Sequence, residues 1–344
     1  MKISEPSAMA LATRLLIQRN ALIGHAECQA RVLVEAELKG HPSHGLQRLP
    51  RIIARIERGL IDPRTKGEGF WRAEAVWDVD GRNGLGPVVA MTALERLAER
   101  VATAGIAVAT IRNNNHLGML AHYVEHIAER GHVGVAMSSS EALVHPFGGT
   151  RAMLGTNPIA IAVPTAGRPL VLDLATSTVS MGKIHHYAAT GRPMPEGWAR
   201  DAEGNPTTDA ERAKSGSIAP FGDAKGYGLG IAIEVLIAAL AGSALAPDIR
   251  GTLDAEALCN KGDILIVVNP KAAPQLAERL SDYLDSVRTS PPAEAGRPVA
   301  IPGDGASLRR AAALRGGFDI EPTLWDALNA LSLSPSSVLE GQSF

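Results

Sequence analysis

The sequence predicts an α/β protein with an additional helical portion, on three observations. Apolar residues in the first sixty positions recur at helical spacing. From Trp71 onward, short β-rich runs alternate with amphipathic stretches. The chain of 344 residues is long enough for roughly two domains of ~150 residues each.

Helices come first. Within residues 8–18, Met9, Leu11, Ala12, Leu15 and Leu16 fall on one face, with Ser7 as the expected N-cap. A second helix is expected over residues 26–38, closed by Gly40 as its C′ residue, and a third over residues 42–59. Gly67 and Gly69 then loosen the chain. Residues 75–79 read as a strand, 88–103 as a helix with Leu94, Leu97 and Val101 on one side, and 105–111 as a β-rich run. A polar turn over 112–116 precedes a helix over 118–130. Residues 133–137, 159–163, 170–174 and 263–268 are further strands, and helical spacing returns over 274–287 and 324–331. Residues 189–222 have little periodicity and much Pro, Gly, Asp and Thr, which suits a structureless lid or binding loop, with plain disorder as the alternative. Residues 288–306, rich in Pro, Gly and Ser, look like a connection back toward the first helices.

Residues 227–246 are nearly long enough to span a bilayer, at ~20 residues. Glu234 near the middle, three glycines and much alanine point instead to a buried helix of a soluble core. Lys+Arg number 34 and Asp+Glu 36, a formal charge of −2, which argues against nucleic acid as a partner. Four Trp, four Tyr and five Phe are too few for a base-stacking platform. Two cysteines, Cys28 and Cys259, form no disulfide framework and suit a reducing compartment. Glu5 and Arg14 interrupt the place where an apolar export signal would lie, so a cytoplasmic protein without a membrane partner is expected.

Three groups of residues carry chemistry. In His41-Pro42-Ser43-His44-Gly45-Leu46-Gln47-Arg48, a helix starting at Ser43 would place His44 and Arg48 on one face, a histidine beside a guanidinium fork suited to a carboxylate. A polar helix start with a solvated arginine reads equally well from spacing. Asn113-Asn114-Asn115-His116-Leu117-Gly118 follows a strand and opens a helix, where α/β proteins gather active-site residues. An imidazole there suits proton transfer, although an asparagine-rich capping turn also fits. His122 and His126 have zinc-like spacing and His185-His186 add two imidazoles, but no third ligand stands at a recognisable distance, so no metal is expected.

Nucleotide motifs fail. No G-x-G-x-x-G follows a strand and no P-loop exists. What remains is Gly155-Thr156-Asn157-Pro158, the strand end Asp173-Leu174-Ala175-Thr176-Ser177, and Lys225-Gly226 at a helix start, where a lysine beside helix N–H groups would suit a pyrophosphate. Asp173 at a strand end would accept from ribose hydroxyls, or it caps a helix; spacing does not decide.

Taken in order, H-P-S-H-G-L-x-R-L-P (41–50), N-H-x-G (115–118), P-F-G-G (146–149), G-T-N-P (155–158), D-L-A-T-S (173–177), G-K-I (182–184), P-E-G-W-A-x-D-x-x-G-x-P-T-T-D (195–209), K-G-Y-G-L (225–229) and N-K-G-D (260–263) resemble the non-Rossmann malate/L-lactate dehydrogenase family over residues 5–335. That family includes sulfolactate, ureidoglycolate, diketogulonate and imino-acid oxidoreductases. The resemblance implies an α/β fold with a mixed-sheet, NAD(P)-binding central domain over 71–304 and a helical domain built from both termini, 1–70 with 305–344. It implies a homodimer or higher homo-oligomer, NAD or NADP as cofactor and a small anionic substrate. Carried over by position, His116 would be the acid/base on the substrate C2 oxygen, Arg48 the carboxylate anchor and His44 a substrate-orienting group, with Ser43 and Lys183 at the substrate. Ser140, Gly155, Thr156, Asn157, Asp173, Leu174, Ala175, Lys225 and Gly226 would line the cofactor. The implied reaction interconverts a 2-hydroxy acid and its 2-oxo acid; reduction of a cyclic imino acid is the alternative. Many relatives carry Tyr where Ile52 stands, and imino-acid reductases carry a carboxylate where Lys183 stands, so a cation there is expected to favour an anionic oxo acid over a cationic imine.

Overall fold

A computed structural model describes residues 1–270 and 274–333; the expected terminal-domain residues 334–344 lie outside the described residues. The first residues meet residues 318–319. Strand β1 (Lys2–Ile3) pairs antiparallel with β12 (Phe318–Asp319), Ile3 opposite Phe318. Around this pair pack α1 (Glu5–Ile17), α2 (Ile23–Leu38), α3 (Leu49–Glu57), α10 (Asp304–Gly316) and α11 (Pro322–Leu333). One buried cluster joins Leu11, Leu15, Leu33, Leu46, Leu49 and Ile53 to Ala313, Phe318, Ile320 and Leu328. Arg310 clamps α10 onto α2 by donating two hydrogen bonds of 2.7 Å to Glu35. The N-cap of α1 is Ser4 rather than the expected Ser7; the Ser4 hydroxyl accepts from the Ser7 N–H, which starts the helix a turn earlier.

A seven-stranded sheet forms the middle of the molecule, in the order β2 (Glu68–Ala73), β3 (Val76–Asp80), β4 (Ile106–Arg112), β11 (Gly262–Val268), β5 (Val133–Ser138), β6 (Ile159–Val163), β7 (Leu170–Leu174). Only β3 and β4 run parallel, joined by α4 (Gly86–Ala104); the other pairings are antiparallel, so the sheet is mixed as expected. Strand β11 arrives from late in the chain to sit between β4 and β5, and its alternate residues pack into both faces. Helices α4 and α5 (Ala121–Ala128) cover one face through Leu94, Leu97, Tyr123, Val124 and Ile127. Helix α8 (Ala224–Ala241) covers the other through Ile233 and Ile237, against Met137 and Ile264. The catalytic candidates lie where this sheet meets the terminal helices.

Two expectations are corrected. Residues 189–222 are not structureless: β8 (Ala199–Arg200), β9 (Pro206–Thr207) and β10 (Ser217–Ile218) form a small sheet, and α7 (Ala210–Ala213) is capped by Asp209. With α6 (Met181–Ala189) they enclose a core of their own, Val144, Leu154, Ile184, Met194, Ala199, Ala213 and Ile218. Two-residue strands leave no periodicity to read. Helix α8 is not buried all round, since Leu229, Ile231, Val235, Leu236 and Leu240 are exposed, Val235 by 53%. The remaining helix, α9 (Pro274–Arg288), follows β11.

Candidate active site

The turn carrying His44 and Arg48 is shaped from below by a buried carboxylate. Glu37, at the end of α2 and 7% exposed, accepts the Leu46 N–H at 2.7 Å. A Cβ at position 45 would stand 2.5 Å from Glu37 Cδ, so only glycine lets the turn lie this close. The continuous helix expected here is therefore absent: residues 42–44 and 46–48 form two 3₁₀ turns broken at Gly45, and α3 begins only at Leu49. The turn still gathers its side chains. Arg48 Nε donates to the Ser43 carbonyl at 2.8 Å, and Ser43 Oγ lies 3.1 Å from His44 Nδ1.

The second element is the loop after β4, held at every asparagine. Asn114 donates to buried Asp263 at 2.9 Å. Asn115 donates to the carbonyls of Asn83 and Gly84 and accepts from Arg55 Nη2 at 3.1 Å. Asn113, with φ of +51°, donates to Asp80. The Tyr123 hydroxyl donates to the Leu117 carbonyl at 2.5 Å. This loop delivers His116 to within 5.6 Å of His44, ring centre to ring centre. A small cavity of about 30 Å³ beside His116 is lined by Arg48, Arg51, Ile52, Arg55 and Asn115.

Hydrogen bonding distinguishes the two imidazoles. The Gly118 N–H donates to His116 Nδ1 at 2.9 Å. A backbone N–H can only donate, so neutral His116 carries its proton on Nε2. His44 Nδ1 faces a hydroxyl that either donates or accepts, so both of its tautomers are available. Burial, Arg48 and His41 push His44 down to about 3; burial, Arg48 and His44 push His116 well below the usual histidine range. Both rings are therefore neutral in the free protein near neutral pH. Burial and Arg51 in turn lower Arg48 to about 10. A carboxylate held on Arg48 would offset the charge that suppresses both histidines.

The expected cofactor residues are knitted into one wall. Ser140 Oγ accepts the Thr156 N–H at 3.1 Å, the Thr156 carbonyl accepts the Thr176 N–H at 2.8 Å, and the Thr176 carbonyl accepts the Phe221 N–H at 3.0 Å. Gly155 and Asn157 are fixed by Glu234 of α8: Oε2 accepts the Gly155 N–H at 3.1 Å and Asn157 Nδ2 at 2.8 Å, while Oε1 accepts the Ala246 N–H at 2.8 Å. This explains a glutamate, 5% exposed, inside so apolar a helix. Leu174 and Ala175 sit half-buried along the same stretch. Asp173 caps the start of α5 by accepting the Ala121 N–H at 2.7 Å, which ties the wall to the His116 loop. Protein surrounds its carboxyl and pushes it up to about 6, although the residue borders solvent.

Two expected features are not realised as drawn. The N–H groups of Lys225 and Gly226 already donate to the carbonyls of Gly222 and Phe221, so a phosphate there would be held by the exposed Lys225 ammonium rather than by the helix start. Lys183 is exposed, with its ammonium 5.0 Å from the Trp198 ring rather than among His44, Arg48 and His116. Its neighbour Gly182 does border the site, since a Cβ there would meet Ser43 Cβ at 3.0 Å. Among the described residues, no group of three or more His, Cys, Asp or Glu stands ready for a metal. His122 and His126 instead line a separate crevice of about 370 Å³ with Glu35, Lys39, Glu125 and Arg310.

Sequence reasoning assigned no role to three supports of the site. Glu37 and Arg55 have no local signature. Lys261 and Asp263, inside N-K-G-D, form a buried ion pair, 2% and 0% exposed, closed by Ser138 Oγ donating to Asp263 at 2.6 Å. Their signal is the presence of charge at both ends of a glycine just before an apolar strand.

Comparison with known proteins agrees with this geometry. The malate/L-lactate dehydrogenase family profile matches residues 3–329. The L-sulfolactate dehydrogenase of Methanocaldococcus jannaschii is 36% identical over 322 residues, 92% of this chain and 93% of that one. The Delta(1)-pyrroline-2-carboxylate reductase of Pseudomonas fluorescens is 38% identical over 241 residues, 70% of this chain and 72% of its own. The crystal structure of a dehydrogenase from Sinorhizobium meliloti superposes with a TM-score of 0.94 at 53% identity, covering 96% of this chain and 98% of that one.

Proposed function

The chain belongs to the malate/L-lactate dehydrogenase family and is an oxidoreductase, and we propose that it interconverts a small 2-hydroxy acid and its 2-oxo acid in the crevice between His44, His116 and Arg48. The observation that carries this reading is the meeting of two neutral imidazoles, 5.6 Å apart, with a guanidinium whose Nη atoms have no partner among the described residues. Sulfolactate, named for one relative, and malate, named for the family, are acids of this kind.

The roles follow from the hydrogen bonds. Arg48 holds the substrate carboxylate with its fork while Nε stays on Ser43. His116 donates from Nε2 to the substrate C2 oxygen, because Gly118 occupies its Nδ1. His44 moves the proton: with Nδ1–H donating to Ser43, its Nε2 takes the hydroxyl proton in oxidation and returns it in reduction. This reassigns the acid/base role from His116 to His44. A nicotinamide cofactor supplies or accepts the hydride when bound. Ser140, Thr156, Asp173 and Lys225, on one wall tied to the His116 loop, would hold NAD or NADP.

His44→Ala and His116→Ala separate the roles. His44→Ala is expected to lower kcat by ~10²–10⁴-fold, the usual worth of a general acid/base. His116→Ala should also lower kcat, yet keep the wild-type pH dependence; if it abolishes that dependence, His116 is the proton carrier.

The imino-acid alternative has a relative in its favour, but Arg48 and Arg51 beside His116 favour an anionic oxo acid over a cationic imine. An imine turned over faster than every oxo acid would reverse the preference. The exposed apolar face of α8 supports a homodimer, testable by light scattering on the purified chain; a monomer would contradict it. Two free thiols support cytoplasmic residence, and the cluster shared by both chain ends supports a domain of residues 1–70 with 305–344 packed on a cofactor domain of 71–304.

A further inference from the structure

Helix α3 and the turn before it place Arg48, Arg51, Ile52 and Arg55 along one stripe, and all four line the cavity beside His116. The three guanidiniums are engaged very differently. Arg55 is buried and donates to the carbonyls of Asp254 and Ala257 and to Asn115. Arg48 uses only Nε, on Ser43. Arg51 is exposed and makes no hydrogen bond or ion pair among the described residues. The acid that acts on Arg48, Glu141, has its Oε1 already accepting the Thr252 and Leu253 N–H groups. Arg48 and Arg51 thus face one small cavity with no carboxylate bonded to either among the described residues, and Arg51 lowers Arg48.

We propose that Arg51 binds a second anionic group of the substrate, so that the site selects 2-oxo acids bearing a carboxylate or sulfonate on the neighbouring carbon over monoanionic ones. This rests on the oxo-acid reading of the same site. A monoanion on Arg48 leaves Arg51 uncompensated; a dianion neutralises both. Both arginines line one cavity, and the terminal carbons of a four-carbon diacid, three C–C bonds apart, lie only ~3.9 Å apart. Ile52, which lines the same cavity, offers no polar partner to an uncharged hydroxyl.

The test compares wild type with Arg51→Gln and Arg51→Lys on oxaloacetate and its monoanionic counterpart 2-oxobutyrate. Arg51→Gln is expected to lower kcat/KM for oxaloacetate about ten- to hundredfold, the worth of one charge-assisted pair, chiefly through KM. It should leave 2-oxobutyrate within about threefold, with Arg51→Lys intermediate. NAD(P)H affinity, read by fluorescence titration, should not change. Equal losses on both acids, no loss on oxaloacetate, or weakened NAD(P)H binding would each overturn the assignment, the last by giving Arg51 to a cofactor phosphate. Calorimetric binding of malonate to wild type and Arg51→Gln needs no turnover. If wild type reduces no oxo acid, weaker malonate binding to the variant still supports the second anion site, and equal binding removes it.

Discussion

Replacing Gly45 with alanine should disable the site without touching a reacting group. The new Cβ would stand 2.5 Å from Glu37 Cδ and 2.9 Å from Cγ, where carbon atoms normally keep ~3.5–4.0 Å. The turn or the carboxylate must therefore yield by about 1 Å. Glu37 is poorly placed to move, being buried and bound to the Leu46 N–H at 2.7 Å. Overpacking and partial loss of a charge-assisted hydrogen bond together cost about 2–4 kcal/mol. Because Ser43, His44 and Arg48 ride on the same turn, a shift of this size should lower kcat/KM by ~10²-fold. The assays are 2-oxo-acid reduction kinetics, NAD(P)H titration and urea denaturation. The expected pattern is lower kcat/KM and a lower urea midpoint with unchanged cofactor affinity, partly rescued in Gly45→Ala/Glu37→Ala. Wild-type kcat/KM in Gly45→Ala would refute the argument that this turn is held in register by Glu37.

Other outcomes follow from the same contacts. His44 is lowered to about 3 in the free protein, so its protonated fraction falls tenfold per pH unit above that; log kcat/KM for reduction should decline with a slope near −1 from about pH 6 to 9, and a plateau there would contradict His44 as the donor. Oxidation needs the neutral ring and should lack that decline. Glu37 is raised to about 7 by burial, above its unfolded value; its contribution to stability is present at low pH and is lost as pH rises through about 7, so Glu37→Gln should flatten the fall in urea midpoint between pH 5.5 and 8. Glu234→Ala would strand the buried donors of Gly155, Asn157 and Ala246, at about 1–3 kcal/mol each; NAD(P)H binding should weaken, and unaltered affinity would show that Glu234 does not support the wall.

The sequence was legible where one interaction dominates. Strands β6 and β7 have the expected bounds: prolines flank the apolar run of β6 on both sides, and Pro169 opens that of β7. His44, Arg48 and His116 stood out because their residue types are costly to bury together without purpose. Long-range arrangements were not legible. Nothing local tells β11 to enter between β4 and β5. Helix α10 went unread because only Ala313 of its residues is buried, which leaves no apolar stripe. The helix expected from Ser43 was replaced by two turns through a contact with Glu37, six residues before Ser43, that no periodicity encodes. The apolar run of α8 was read as core throughout, since composition alone does not distinguish a face packed on a sheet from one left exposed.

The most direct test is NADH and NADPH oxidation by the wild-type chain with oxaloacetate, sulfopyruvate, pyruvate and Δ1-piperideine-2-carboxylate. NAD(P)H absorbance is expected to fall with the 2-oxo acids, fastest with the two dianions. Turnover of the imine alone, or of none of the four, would contradict the oxo-acid reading.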